Sequence, residues 1–421
     1  MNSSDSEYPE TDYTATGVES HTPAPEHAPA EVNQSTRHNA QPGLTEPPRR
    51  RSALPAFLGV VGVILASIVL VVVVVYLITG LGTDAFLLGG VMALIPLAII
   101  FFGVRWIDRW EPEPRLALVF AFLWGAGVSV LIALLVGEHV AGIVNAAGGA
   151  GAAFEFFSAV VQAPIVEESG KGLGLLIIFW VARKHFDGPV DGLVYAAWVA
   201  GGFAFTENIL YFGSELLDSG GIDGPVIEIF FIRGLLSPFA HVMFTAFIGI
   251  ALGLAARRAG ALRAIGYFLV GLIPAMLLHA FWNGSLFFVW DFYGYYALVQ
   301  VPLFVMAVVL VFFLRRQEAK LTHDRLTEYA NAGWFNPDEI NALATPNGRR
   351  QAKLWAQQKG IGKVMKRYIR DATKLAFARQ RIITGRGRIG ADADEAALLR
   401  AIVKSRAALT AATAAAPARS G

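Results

Sequence analysis

APIVEESGKGLGLLIIFW, residues 163–180, has the length and apolar content of a membrane-crossing helix, yet it carries Glu167, Glu168 and Lys171. A span needs about 20 mostly apolar residues, and an ionised side chain at bilayer depth costs a few kcal/mol or more. The chain around it supports a span. Over 421 residues the hydrophobic share is 55% and the charged share 16%, too apolar and too charge-poor for a soluble domain. There is no cysteine, which excludes a disulfide framework, a thiolate nucleophile and a Cys-ligated metal.

Apolar stretches long enough to cross a bilayer fall at roughly 54–79, 85–107, 116–137, 155–183, 190–213, 229–256, 262–288 and 292–314. Alternate connections hold Arg105, Arg109 and Arg115, then Arg183 and Lys184, then Arg257, Arg258 and Arg263, then Arg315 and Arg316. The others, near 80–84, 138–154, 214–228 and 289–291, hold no Lys or Arg. The positive-inside rule therefore places both termini in the cytoplasm. The expected fold is all-α, a polytopic membrane helix bundle of about eight spans over 53–315. Residues 1–52, rich in Ser, Thr, Pro, Glu and His, read as a disordered cytoplasmic tail and not as a secretory signal. Residues 316–421 read as a helical, basic cytoplasmic region. Asn336 or Asp338 opens a capped helix there, and a solvated helix pair near the inner leaflet is the expected form. Attraction to anionic lipid suits this segment better than nucleic-acid binding.

Four polar clusters interrupt the spans at helical spacing. Glu167 and Lys171 share a face in the fourth span, with Glu168 turned about 100° away. In the fifth, GFAFTENILY places Phe203 and Glu207 four apart, with Asn208 adjacent. His241 follows Pro238 in the sixth, and HAFWNG puts His279 and Asn283 four apart in the seventh. Counted at about 1.5 Å per residue, Glu167, Glu207, His241 and His279 all lie about 9–18 Å below the outer surface. A buried Glu–Lys pair or a lone histidine is ordinarily structural. Four helices bringing such groups to one layer point to a functional site.

Carboxylates, imidazoles and a carboxamide at one depth suit general-base activation of water and stabilisation of an oxyanion, the parts needed for peptide hydrolysis. HExxH, GxSxG and an intramembrane Gly-Asp pair are all missing from the sequence. VEESGKG resembles the EExxK motif of the PrsW intramembrane proteases, FAFTEN their FxxxEN, and HAFWN their HxxxN, with His241 on a helix of its own. DRWEPEPR, Asp108 to Arg115, is similar to the acidic-proline loop of the same family. The similarity covers about residues 85–290.

The resemblance implies a multi-pass endopeptidase of a bacterial cell membrane. It would cleave a membrane-anchored protein, such as an anti-sigma factor, on its extracytoplasmic side. The related CAAX-processing and bacteriocin-immunity proteases carry His where this chain has Glu207. Two mechanisms follow for the candidate set Glu167, Glu168, Lys171, Glu207, His241, His279 and Asn283. In one, Glu167 activates water without a metal, helped by Glu168 or His241, while Asn283 and His279 hold the oxyanion. In the other, Glu207, His241 and His279 ligate Zn2+ and Glu167 is the base. A proton-coupled transporter also places Glu, His and Lys at depth, but the two halves of the chain show no internal repeat. A non-catalytic scaffold has no use for costly buried charges. The EPEP corner reads as a stiff structural turn on the cytoplasmic side, out of reach of the outer layer.

Overall fold

The structure, a computed structural model, describes residues 54–149, 151–258, 263–385 and 391–414. The tail expected over 1–52 lies outside the described residues. Every described element is a helix. Apolar segments without water must satisfy their own amides, and a helix does so within one segment. Helices α1 (Leu54–Leu81) and α2 (Thr83–Ile107) turn at Gly82, whose φ of 78° favours glycine. The third pass joins α3 (Arg115–Leu123), a π-helical stretch Trp124–Ser129 and α4 (Val130–Ala146). The fourth joins α5 (Ala152–Phe157), a π stretch Ser158–Gln162 and α6 (Ala163–Val181). Helix α7 (Pro189–Ser219) is the fifth. The sixth comprises α8 (Gly224–Ile229), a π stretch Phe230–Leu236 and, after a break at 237–239, α9 (Ala240–Arg258). Helix α10 (Arg263–Ser285) is the seventh. In the eighth, α11 (Phe292–Tyr295) and a π stretch Tyr296–Gln300 lead into α12 (Val301–Asn331).

Among the described residues, seven helices are long and apolar enough to cross a membrane. The remaining pass, 152–181, is of similar length and is set apart by Glu167, Glu168 and Lys171, the residues that made its sequence ambiguous. Helix α7 is the axis of the bundle. In its most apolar 18-residue window 78% of the residues are buried, against 11% in α1. Backbones meet it closely. A Cβ on Gly192 would lie 1.9 Å from the Gly249 carbonyl oxygen, and one on Gly125 would lie 1.9 Å from that of Val199. Small residues at such crossings are how membrane helices gain packing without a hydrophobic drive between them.

The π stretches widen their helices and weaken the local ladder, which is costly in lipid unless a side chain steps in. Three of them are answered by neighbours. Thr206 Oγ1 donates to the Ala126 carbonyl at 2.9 Å, Asn283 Nδ2 to that of Ala159 at 2.9 Å, and the Tyr296 hydroxyl to that of Leu236 at 3.0 Å.

Helix α12 passes through residue 315 unbroken and is followed by α13 (Pro337–Ala344), α14 (Pro346–Gln358), α15 (Gly362–Ile383) and α16 (Ala391–Ala414). Asn336 caps α13 as its sequence suggested, accepting from the Glu339 amide at 2.8 Å. This region is more than a solvated pair. Tyr329, Ile340, Tyr368, Leu375 and Ile402 share a core of their own. Its apolar positions recur at helical spacing, and only the packing of five helix segments reveals what they cover. It docks on the bundle through two arginines. Arg349 Nη1 donates to the Trp110 carbonyl at 3.0 Å with its guanidinium 3.4 Å above that ring, and Arg381 Nη1 meets Asp187 Oδ2 at 2.6 Å.

Candidate active site

Helix α6 presents Glu167, Glu168 and Lys171 inward because these positions lie on its buried face against α7, α9 and α10. Lys171 and Glu168 are 0% exposed, and His279 is 2% exposed. A fully buried ammonium persists only where acceptors surround it. Lys171 Nζ donates to Glu168 Oε1 at 2.7 Å, to His241 Nδ1 at 3.1 Å and to Glu167 Oε2 at 3.4 Å. It also lies 4.0 Å from the centre of the Phe203 ring, so the Phe and the Glu of FAFTEN serve one cluster from successive turns of α7. Glu168 is saturated: its second oxygen accepts from Thr245 Oγ1 on α9 at 2.8 Å, and its first also faces His279 Nδ1 at 3.1 Å.

Glu207 is held differently. Its Oε2 accepts from Arg233 Nη2 at 2.5 Å and pairs with His241 Nε2 at 2.8 Å. Arg233 Nε also donates to Asn208 Oδ1 at 3.2 Å, so adjacent Glu and Asn grip one guanidinium from the π stretch 230–236. The guanidinium carbon sits 3.8 Å from the centre of the Tyr211 ring.

The two imidazoles approach to 5.2 Å between ring centres, and His279 Nε2 is 3.9 Å from Glu167 Oε2. Glu167, His241 and His279 each offer one ligand atom, and all three atoms lie within 4.8 Å of one another. This differs from the set expected from sequence, which took Glu207 as third ligand. The reason is Arg233, which together with His241 occupies the Glu207 carboxylate. A carboxylate only accepts, so the imidazole nitrogen facing Glu168 on His279, and that facing Glu207 on His241, carries the proton. Nε2 of His279 is thereby left with a lone pair, and Nδ1 of His241 with one that accepts from Lys171 Nζ at 3.1 Å and can serve a metal only once that ammonium turns away. Two nitrogens and a carboxylate oxygen, each imidazole backed by its own carboxylate, fit the donor set and outer hydrogen bonding of a zinc site.

The fold thus brings together Glu167, Glu168, Lys171, Glu207, His241 and His279. Asn283 is elsewhere engaged, its amide capping the π stretch before α6. Sequence reasoning missed Arg233 and Thr245. Arg233 was detectable: it stands alone in an apolar span, about 4 residues in, while Glu207 stands about 6 from the matching end of the fifth. Thr245 gave no signal, since a threonine on a membrane helix ordinarily bonds its own backbone.

A family model described as PrsW family intramembrane metalloprotease matches residues 113–312, which include every residue of this cluster. The chain is 35% identical over 171 residues to protease PrsW of Clostridioides difficile (strain 630), covering 39% of this chain and 63% of that one. It is 30% identical over 172 residues to protease PrsW of Bacillus subtilis (strain 168), covering 41% and 70% respectively. With protease PrsW of Geobacillus kaustophilus (strain HTA426) it shares 30% over 146 residues, covering 35% and 57%. The chain therefore spans less than two thirds of the first and third of these relatives. No solved structure matches.

Proposed function

Because the chain belongs to the PrsW family of intramembrane proteases, we propose that it is itself a metal-dependent endopeptidase that cuts a membrane-anchored protein inside the bilayer. The observation that carries this reading is the convergence of Glu167, His241 and His279 from three helices onto one point. Zn2+ is the metal that a two-imidazole, one-carboxylate set suits, and when bound it supplies an activated water and polarises the scissile carbonyl.

The chain's own residues do the rest. Glu167, His241 and His279 would hold the metal. Glu168 fixes the His279 tautomer and Glu207 that of His241, while Arg233 and Thr245 fix the two carboxylates in turn. Lys171 supplies a positive charge beside Glu167 and Glu168, and its Nζ is a proton donor within reach of an oxyanion forming at the same point. Asn283 is a positioning residue for α6 in this reading.

The depth of the cluster and the basic alternate loops support attack from the extracytoplasmic half, with both termini cytoplasmic, in the cell membrane of a bacterium. A single-span regulator of the anti-sigma-factor kind is the substrate class this favours. The test compares new protein N-termini in membranes from cells expressing the native chain or Glu167→Gln at matched levels, with and without a membrane-permeant zinc chelator. Loss of the same extracytoplasmic cuts in the variant and under chelation is the expected result. Cuts that persist in the variant sink the assignment of Glu167, and cuts that persist only under chelation sink the metal.

A further inference from the structure

Between the helix break at 237–239 and the start of the eighth pass lies a cavity of about 170 Å3. Ile99, Pro238, Met243, Trp282 and Phe304 make its wall mostly apolar. It adjoins the candidate active site through one side chain. Trp282 packs on Phe244 at 5.7 Å between ring centres, and Phe244 stacks on His279 at 4.7 Å. Ala240, which also lines it, immediately precedes His241.

Ser237, Tyr296 and Gln300 are its polar lining residues, and where the Tyr296 hydroxyl donates to the Leu236 carbonyl at 3.0 Å, Gln300 differs. Gln300 is 2% exposed, and its carboxamide oxygen is buried with no hydrogen-bond partner among the described residues. An unmatched acceptor in an apolar setting costs free energy that a bound donor would recover. A lipid tail has no donor to offer. A membrane segment opened for cleavage has several, because unwinding a helix in the bilayer strips its backbone N–H groups of their partners.

The two deficits match, and we infer that this cavity receives an apolar side chain flanking the scissile bond of the substrate segment, while Gln300 accepts a backbone N–H of the same segment. The inference rests on the protease reading above and deepens it. It assigns a specificity pocket to Met243, Trp282 and Phe304 and a sequence-independent anchor to Gln300. An apolar cavity of about 150 Å3 is known to accept a benzene ring, so a side chain of leucine or phenylalanine size is the class selected. The helix break matters here. Ser237, Pro238 and Phe239 leave the helical path on the lining, so the pocket borders irregular backbone of the kind a membrane tolerates only around a cavity.

The test uses the full chain in membranes, with single-span reporters built on a segment whose Glu167-dependent cut has been mapped. Each position flanking the cut is varied through Gly, Ala, Leu, Phe and Trp. At one position Leu or Phe should be cut at least about tenfold faster than Ala, the discrimination an apolar pocket gives. Met243→Trp, which fills the pocket, should shrink that preference to within about twofold while Ala reporters are still cut, and Phe304→Ala should extend it to Trp. Gln300→Leu should slow every reporter about tenfold and leave the preference unchanged.

An unaltered preference in both Met243→Trp and Phe304→Ala, with native cutting intact, overturns the pocket and leaves the protease reading standing. If Met243→Trp instead sheds a co-purifying lipid and specificity stays the same, the cavity is a lipid seat and the inference fails. Should Met243→Trp abolish all cutting, Phe304→Ala decides alone. If no reporter is cut in a Glu167-dependent way, the protease reading has failed and this inference falls with it.

Discussion

Helix α7 carries two buried carboxylate clusters about 24 Å apart along its axis, and they solve the same problem in opposite ways. At Glu207 each acid faces a cation or an imidazole: Glu207 meets Arg233 and His241, while Glu167 and Glu168 meet Lys171 and His279. At Asp191 the acids face one another. Asp108, Glu111, Glu113, Asp187, Asp191 and Glu318 crowd the end where the EPEP corner meets α7 and the α13–α16 domain, with Arg381 on Asp187 and the Tyr195 hydroxyl donating to Glu113. There burial, then the neighbouring Asp191, pushes Glu113 well above the usual carboxylate range, and Glu111 is raised by burial and by Asp191, Asp187 and Glu318. Asp108 is pushed up to about 6 by burial, against the opposing pull of the Glu113 amide and Arg105. One cluster sets its acids against cations and imidazoles; in the other, burial and neighbouring acids raise the proton affinity of Glu111 and Glu113, and burial raises that of Asp108. The first arrangement suits the metal binding and proton transfer proposed above, and a structural corner can use the second.

Removing a cation from the paired cluster should therefore have the largest effect. Lys171→Met leaves two carboxylates buried beside each other, and a loss of about 3–5 kcal/mol is expected, read as a collapse of the melting temperature of the detergent-purified protein. Wild-type-like stability in that variant would break the comparison at its strongest point.

Arg233→Met should cost less and act on the reaction. With Glu207 no longer fixed by the guanidinium, its hold on His241 loosens and cutting should fall roughly 10–100-fold, while stability falls less than in Lys171→Met because the Arg233 side chain is 27% exposed. Arg233→Lys should restore part of the rate, because Lys supplies the charge without the fork that also grips Asn208.

At the other end, Arg349→Met removes the stack on Trp110 and the hydrogen bonds to Trp110, Leu343 and Thr373. About 1–3 kcal/mol of docking should be lost. Faster proteolysis or hydrogen exchange at 108–114 and in α14 would show it, with cutting in the membrane unaffected.

The smallest effects sharpen the contrast. Glu113→Gln replaces an acid whose proton affinity is raised by burial and by Asp191, keeps an acceptor for the Tyr195 hydroxyl, and should change stability by under about 1 kcal/mol. Asp108 supplies a pH test. Burial pushes its carboxyl up to about 6, above the usual carboxylate range near 4, so its contribution is complete below about pH 4 and is lost as pH rises through 6. Hydrogen exchange at 108–114 should quicken over that interval in the native chain, and Asp108→Asn should flatten the slope.

Much of this was legible in residue order. The periodicity of VEESGKG, FAFTEN and HAFWN placed Glu167, Glu207 and His279 on inward faces at one depth, because helical rise and span length together fix depth. Partner choice was not legible. Glu207 sits in a motif with Asn208, and nothing local says that both will meet an arginine 25 or more residues away. Asn283 had the spacing of a catalytic amide, yet the π stretch before α6 leaves the Ala159 carbonyl for it to take, and π turns carry no sequence signature. The EPEP corner read as a turn, and only its packing against α7 and the α13–α16 domain shows the acids buried.

Composition, span length and charge alternation by themselves determined a helical membrane bundle with a polar layer on four helices, because these properties depend on each segment alone. Tertiary structure alone decided which carboxylate stands with the two histidines, which one is tied to Arg233, and that Gln300 closes an apolar pocket with an unmatched acceptor. Each of those is a distance between side chains on different helices, set by the backbone approaches at Gly125 and Gly192 and by the break at 237–239, and a linear pattern carries no record of such distances.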